Sequence, residues 1–278
     1  MIDFYKYQGL GNDFIVFDGI KNQLPNVNEL AKKVCNRNFG IGADGILVIE
    51  NSQKAAIKMR IINADGSEAK MCGNGIRCFS KHVYEKKLVS SESFNVETLA
   101  GIIEVEVSKS DNNKVKEVRA NIGKPIYGNG LLPQLDNERI FKSEIEIEGK
   151  TYLVYTLFVG CVHTIVFVED FNHIDIDLLG PAIENHYIFP AKTNVDFCKI
   201  IDHNNIRVKT WEIGVGQTLA CGTGAASAAV VCHQEHNTNK TVNVHLDGGE
   251  VKIQLKDGLV YMTGPAEFIC SGKYNFQG

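Results

Sequence analysis

Met71-Cys72-Gly73-Asn74-Gly75 and Ala220-Cys221-Gly222-Thr223-Gly224 stand 149 residues apart in a chain of 278. Each is a Cys-Gly-x-Gly turn that opens a run of helical character. Asn74 to Lys87 carries Ile76, Phe79, Val83 and Tyr84 at helical spacing, while Thr223 to Glu235 is alanine-rich and apolar enough to be buried on most sides. The flanks repeat too. Gly11-Asn12 matches Gly160-Cys161 at the same offset, each heading an apolar strand, Phe14 to Phe17 and Ile165 to Val168. Phe94-Asn95-Val96 through Gly101 to Val107 matches Val242-Asn243-Val244 through Gly249 to Leu255 at 148, a strand, a glycine turn and a second strand in both places. A recurrence of this length, held in register across three segments, marks a duplicated chain.

Strands rich in Val and Ile surround the two helices, among them Ala56 to Ile62, Thr151 to Phe158, Asn205 to Trp211 and Leu259 to Thr263. The expected fold is therefore α+β, with two pseudo-symmetric domains, each a mostly antiparallel sheet curled around a central helix, and an active site in the cleft between them. Glycine and proline interrupt the pattern near residues 119–130. This divides the chain into an N-terminal half, 1–122, completed by 265–278 as the strand after Pro265 returns, and a C-terminal half, 123–264. The last residues, Ser271 to Gly278, are short and polar, and partial disorder is expected there.

Composition narrows the function. With 44% hydrophobic residues the chain can bury one large core or two medium ones. A formal charge of −4 and scattered Lys and Arg leave no footprint for nucleic acid. The amino terminus lacks a charged start followed by an apolar run, and no stretch of about 18 apolar residues occurs, so no membrane partner and a cytoplasmic location are expected. The eight cysteines lack Cys-x-x-Cys spacing, which points to neither a metal site nor a disulfide framework but to reduced thiols, most of them small core residues. The expected partner is a small molecule.

A helix start exposes unpaired N–H groups and about half a positive charge, so it binds anions and favours the thiolate of a cysteine placed there. Cys72 and Cys221 each occupy such a start, and the glycines behind them, Gly73 and Gly222, let the backbone approach a ligand closely. Two such starts brought to one cleft would hold a carboxylate between two sets of N–H groups, with a sulfur on each side of its α-carbon. That is the chemistry of two-base inversion: one thiolate removes the α-proton, the other thiol returns one to the opposite face, and the N–H groups stabilise the carboxylate as it gains enediolate charge. No cofactor is required by this scheme. A thiol-redox protein is the competing reading of the same pair, because a disulfide between the two would arrest the enzyme.

On Gly9 to Phe14, Gly40 to Gly45, Ile62 to Glu68, Met71 to Cys78, Glu97 to Gly101, Asn194 to Phe197 and Leu219 to Ala225, the chain resembles the diaminopimelate epimerase family over essentially its whole length. The resemblance implies two pseudo-symmetric domains, no cofactor or metal, an amino-acid substrate and, in many members, a homodimer. It implies Cys72 and Cys221 as base and acid, with His163 and Glu212 as the groups that poise them. It also implies Gly73, Asn74, Gly222 and Thr223 as the carboxylate cradle, and Asn12, Asn63 and Asn194 as substrate-binding amides. A related fold that isomerises with carboxylate bases is disfavoured by the presence of both thiols.

The departures fall in the substrate pocket. Where the family has Gly-Asn-Pro-His this chain has Gly160-Cys161-Val162-His163, and where the family has Glu-Arg-Gly it has Glu212-Ile213-Gly214. Gly45 stands where some members carry Gln. Losing the arginine removes a charge-assisted bond worth roughly 1.5–3 kcal/mol to the distal carboxylate of diaminopimelate, a penalty of one to several powers of ten in rate. The expected substrate is therefore a single-carboxylate amino acid, histidine foremost. Diaminopimelate itself is the alternative, with Lys192 or Lys209 supplying the missing charge.

Overall fold

The computed structural model describes residues 1–127 and 141–276, and the chain divides into two compact units, Met1–Asn121 with Thr263–Gly278, and Ile122–Met262. In chain order the first carries β1 (Ile2–Gly9), β2 (Asn12–Asp18), α1 (Val27–Val34), β3 (Gly45–Glu50), β4 (Ile57–Asn63), β5 (Glu68–Ala69), α2 (Gly73–Glu85), β6 (Ser93–Thr98), β7 (Gly101–Lys109) and β8 (Val115–Gly123). The second carries β9 (Phe141–Ile147), β10 (Lys150–Val159), β11 (Cys161–Phe167), α3 (Ile176–Glu184), β12 (Asn194–Asp202), β13 (Asn205–Glu212), β14 (Gly216–Thr218), α4 (Gly222–His236), β15 (Thr241–Leu246), β16 (Gly249–Lys256) and β17 (Leu259–Gly264). The last strand, β18 (Glu267–Tyr274), belongs to the first unit, where it pairs antiparallel with β1.

The duplication extends to the ladders. In the first unit β1 and β2 form an antiparallel hairpin, β2 runs parallel to β3, β3 and β4 are antiparallel, and β4 pairs antiparallel with β5 and parallel with β6. In the second, β10 through β15 repeat these pairings in the same senses. The register repeats as well: Phe14 opposes Gly45 as His163 opposes Asn194, Ile61 opposes Ala69 as Thr210 opposes Thr218, and Phe94 opposes Val105 as Val242 opposes Ile253. β9 flanks β10 as β18 flanks β1.

Alternation along the strands explains why both faces of these sheets are covered. In the first unit Ile15, Phe17, Ile46, Val48 and Ile62 form one apolar face, against which α1 buries Leu30, Ala31 and Val34. Phe14 and Leu47, one residue out of phase, face the start of α2. In the second unit Val166, Val195 and Phe197 meet α3 through Leu179 and Ile183. Strands buried on both faces read as continuous apolar runs, as β2 and β3 do.

Both central helices are buried over most of their length, α2 from Gly73 to Val83 and α4 at Gly222 and from Gly224 to Cys232. Each is capped by cysteine: Cys72 Sγ accepts the Gly75 N–H at 3.4 Å and Cys221 Sγ accepts the Gly224 N–H at 3.4 Å, both caps in extended conformation. α4 ends on Asn237 in the left-handed region (φ 53°).

Two expectations need correction. Each half holds a second, shorter helix, α1 or α3, beside the central one. The polar tail is not disordered through Tyr274: Ser271 to Tyr274 pair with Tyr5 to Ile2, and Phe276 packs against the first unit's core. Part of the expected 119–130 boundary, residues 128–130, lies outside the described residues.

The two helix starts differ in how much room they leave. A Cβ at Gly75 would sit 3.4 Å from Leu47 Cδ2 and 3.4 Å from Cys72 Cβ, ordinary contacts, whereas at Gly224 it would land on the Asp196 carboxylate. Gly75→Ala is expected to leave stability within about 1 kcal/mol of wild type. Gly224→Ala is expected to lose roughly 1–3 kcal/mol. Urea denaturation of the two variants checks the contrast.

Candidate active site

In the first unit, Cys72 caps α2 and its sulfur lies 3.6 Å from Asn12 Oδ1 at the start of β2. The same oxygen receives Asn74 Nδ2 at 3.3 Å, and Asn12 Nδ2 donates to Asp44 at 2.6 Å, which fixes the orientation of the amide. Asn74 Oδ1 in turn accepts from Arg77, a fully buried guanidinium that also donates to the Gly73 carbonyl and, at 3.1 Å, to the Pro265 carbonyl. Cys72, Gly73, Asn74 and Asn12 are thus one cluster. Asn63 ends β4 opposite Gly45, and its amide donates to Ser67 within the following turn.

In the second unit, Cys221 caps α4 with Gly222 and Thr223 in the first turn. Thr223 Oγ1 lies 3.5 Å from Cys221 Sγ, 3.7 Å from Cys161 Sγ and 3.0 Å from His163 Nε2. Cys161 Sγ is 3.1 Å from His163 Nε2 and accepts Asn194 Nδ2 at 3.3 Å. Asn194 Oδ1 takes the Ile213 backbone N–H at 3.0 Å, so one amide ties β11, β12 and the loop after β13 together. Glu212 accepts the Thr218 hydroxyl at 2.5 Å. The side chain of Ile213 is exposed, so its part in the cluster is its backbone N–H.

Beneath this cluster lies Asp196, fully buried, which accepts His163 Nδ1–H at 2.7 Å and the Thr210 hydroxyl at 2.6 Å. The carboxylate fixes the proton on Nδ1 and turns Nε2 toward the sulfur. Burial opposes a charge on His163, but the charge of Asp196 and that of Cys161 outweigh it and hold the imidazole pKa well above its ordinary value. Burial likewise raises the Cys161 thiol, yet the charge and hydrogen bond of His163, with the Thr223 hydroxyl, bring it below the ordinary thiol value. Cys221 goes the other way: burial raises it well above, and the negative charges of Glu212, Asp196 and Cys161 raise it further. The cluster therefore sets a thiol of lowered pKa against an imidazole of raised pKa, beside a second thiol whose pKa is raised.

Asp196 and Thr210 escaped the sequence reading. Their signal is a single carboxylate inside the apolar run Val195 to Cys198, where strand alternation turns position 196 toward α4. In the first unit the positions 149 residues earlier are Leu47, where the second has Asp196, and Phe14, where it has His163. The two lysines expected to replace the missing arginine have other partners. Lys192 Nζ is 2.8 Å from Glu184, and Lys209 Nζ is 3.3 Å from Asp247. Among the described residues, no helix is long and apolar enough to cross a membrane.

The chain matches the sequence pattern of the family described as diaminopimelate epimerase over residues 4–127 and 155–269. It is 48% identical over 272 residues to the diaminopimelate epimerase of Caldanaerobacter subterraneus subsp. tengcongensis, covering 97% of this chain and 98% of that one. It is 42% identical over 274 residues to that of Clostridium perfringens strain 13, with 98% and 99% covered. Among solved structures, a probable proline racemase from Agrobacterium radiobacter K84 superposes with a TM-score of 0.75 at 14% identity, covering 100% of this chain and 94% of that one. A hydroxyproline epimerase from Agrobacterium vitis gives 0.72 at 14%, with 98% and 91% covered. The fold and the sequence together define a cofactor-independent racemase or epimerase, an isomerase that needs no pyridoxal phosphate. Its relatives match it from end to end. The chain belongs to the diaminopimelate epimerase family.

Asp196→Asn is expected to bring the His163 pKa down to or below about 6.5, since burial is then opposed by Cys161 alone. Histidine NMR titration measures it. A raised histidine pKa adds stability that is full below the unfolded value and is lost as pH rises through the folded one. The stability gap between wild type and Asp196→Asn is therefore expected to narrow as pH rises from about 6.5 through the elevated His163 value.

Proposed function

We propose that this isomerase inverts an amino-acid α-carbon with two thiols, Cys72 and Cys221, one removing the α-proton as thiolate and the other returning a proton to the opposite face. The observation that carries this reading is the matched pair of sulfur caps: two cysteines at corresponding positions of a duplicated fold, each accepting the third N–H of a buried helix. Helix starts supply N–H groups for the substrate carboxylate and stabilise the enediolate that forms on deprotonation. Cys221, held protonated by burial and by Glu212, suits the acid role in one direction, and the roles exchange with substrate chirality. Glu212 acts on Cys221 through charge, and His163 acts on Cys161, the sulfur it touches.

For the substrate, diaminopimelate is supported by the relatives, all of them named for that activity at 39–48% identity. A second reading has a specific observation in its favour. The exposed apolar Ile213 stands where the family has an arginine, Cys161 stands where it has an amide, and Lys192 and Lys209 are paired with Glu184 and Asp247. A pocket with those features suits an amino acid with one carboxylate and a neutral or weakly basic side chain, histidine foremost. A homodimer, as in many family members, is part of the proposal.

Incubating the protein with single amino acids in D2O and following loss of the α-proton by NMR separates the two substrates. Exchange with diaminopimelate and none with histidine supports the first, and the reverse supports the second. Cys72→Ser and Cys221→Ser are each expected to abolish inversion while leaving the circular dichroism spectrum unchanged; activity retained in either rejects the two-thiol scheme. Glu212→Gln is expected to slow turnover by roughly 10²–10⁴-fold and to shift the pH profile, if the carboxylate acts on Cys221.

A further inference from the structure

We propose that Cys161 is a third reactive centre in this protein, a nucleophile built with His163 and Asp196 that is covalently modified by α,β-unsaturated carbonyl compounds. The proposal is independent of which amino acid the isomerase inverts.

The geometry is that of an activated nucleophile: Sγ of Cys161 is 3.1 Å from His163 Nε2, and His163 Nδ1 is 2.7 Å from a carboxylate that Thr210 anchors at 2.6 Å. Asn194 Nδ2 donates to the same sulfur at 3.3 Å and fixes where it points. The titratable groups facing it are His163 on β11, Asp196 on β12 and Cys221 at the start of α4, with Glu212 on β13 acting on Cys221. The positive group is in direct contact and the carboxylate lies behind it, so the balance favours the thiolate.

The first unit shows that the fold does not demand this arrangement. At the same points of the duplicated ladders it places Asn12, Phe14 and Leu47, and its helix start packs on the apolar pair. A buried carboxylate and imidazole are costly to desolvate, and the first unit fills the same points with Phe and Leu. Their presence in one half alone is therefore tied to chemistry rather than to packing.

The remaining cysteines set the contrast. Cys35, Cys78, Cys198, Cys221 and Cys232 are buried, and burial pushes the Cys35 and Cys78 thiols up to about 12. Cys161 and Cys72 are partly exposed and Cys270 is exposed, but among these it is Cys161 that touches an imidazole. In the reaction the Cys161 thiolate attacks the β-carbon of the conjugated carbonyl, an S–C bond forms and the carbon–carbon π bond breaks. The α-carbon then takes the proton from His163 Nε2, leaving a thioether and a neutral imidazole. No other reactant is consumed.

N-ethylmaleimide, added below stoichiometry to the intact protein at pH 6 and followed by peptide mass mapping, tests this. The adduct at Cys161 is expected to form at least about tenfold faster than at Cys270, the exposed cysteine that serves as internal reference. An equal or slower rate at Cys161 overturns the proposal. His163→Gln is expected to bring the Cys161 rate down to that of Cys270 or below, and an unchanged rate overturns it. A measurement that does not depend on that variant folding is the ultraviolet absorbance of thiolate at pH 6. Cys161→Ser is expected to lower the wild-type thiolate signal. No loss overturns the proposal.

Discussion

A sulfur atom stands in for oxygen at the start of each central helix, and much of the architecture serves to put it there. A Cys side chain is a weak acceptor, so at 3.4 Å it satisfies one N–H of the first turn only loosely. The helices that carry these caps draw little of their stability from the caps themselves. Burial of α2 against its sheet and of the alanine-rich α4 against its own holds each axis in place. Sheets covered by a helix on both faces are what such burial requires, and that explains the near-continuous apolar strands and the second helices α1 and α3.

Duplication supplies two copies of one device, and the copies have diverged where they meet the helix start. In the first unit Phe14 and Leu47 fill the space beneath α2, and the cap sulfur leans on the Asn12 amide. In the second, His163 and Asp196 fill it; the charge of His163 acts on Cys161 and that of Asp196 on both Cys161 and Cys221. The result is two thiols in different electrostatic settings on one backbone plan.

The duplication could be read from the chain because glycine and cysteine recur where backbone demands are strict, at helix starts and tight turns. Strands such as β4, β10 and β13 were legible from Val and Ile alone. α1 and α3 were not: α1 is only eight residues long, and α3 carries Gly180 and Pro181, residues that argue against a helix locally. Gly180 is there because a side chain would collide with Trp211, a tertiary reason that no local pattern reveals. The return of a strand after Pro265 was legible, but its end from Ser271 read as a loose tail because Ser271 to Lys273 are small or polar; their order comes from backbone pairing with β1. Within the site, Cys161 was read as the loss of an amide. What it gains became visible only when β11 and β12 brought His163 and Asp196 beneath it.

The pairing of β18 with β1 joins residues about 270 positions apart, the first strand of the chain with its last. During synthesis, the first unit thus emerges early yet lacks a border strand until β18 has been made. The unit encoded second has all of its own strands earlier. The order of maturation is therefore inverted relative to the order of translation, and the nascent first sheet presents an unpaired edge until the second unit has been made and β18 follows it. Asp3 and Lys6 on β1 put charge on that edge, a feature that discourages premature pairing with other chains while the closing strand is awaited.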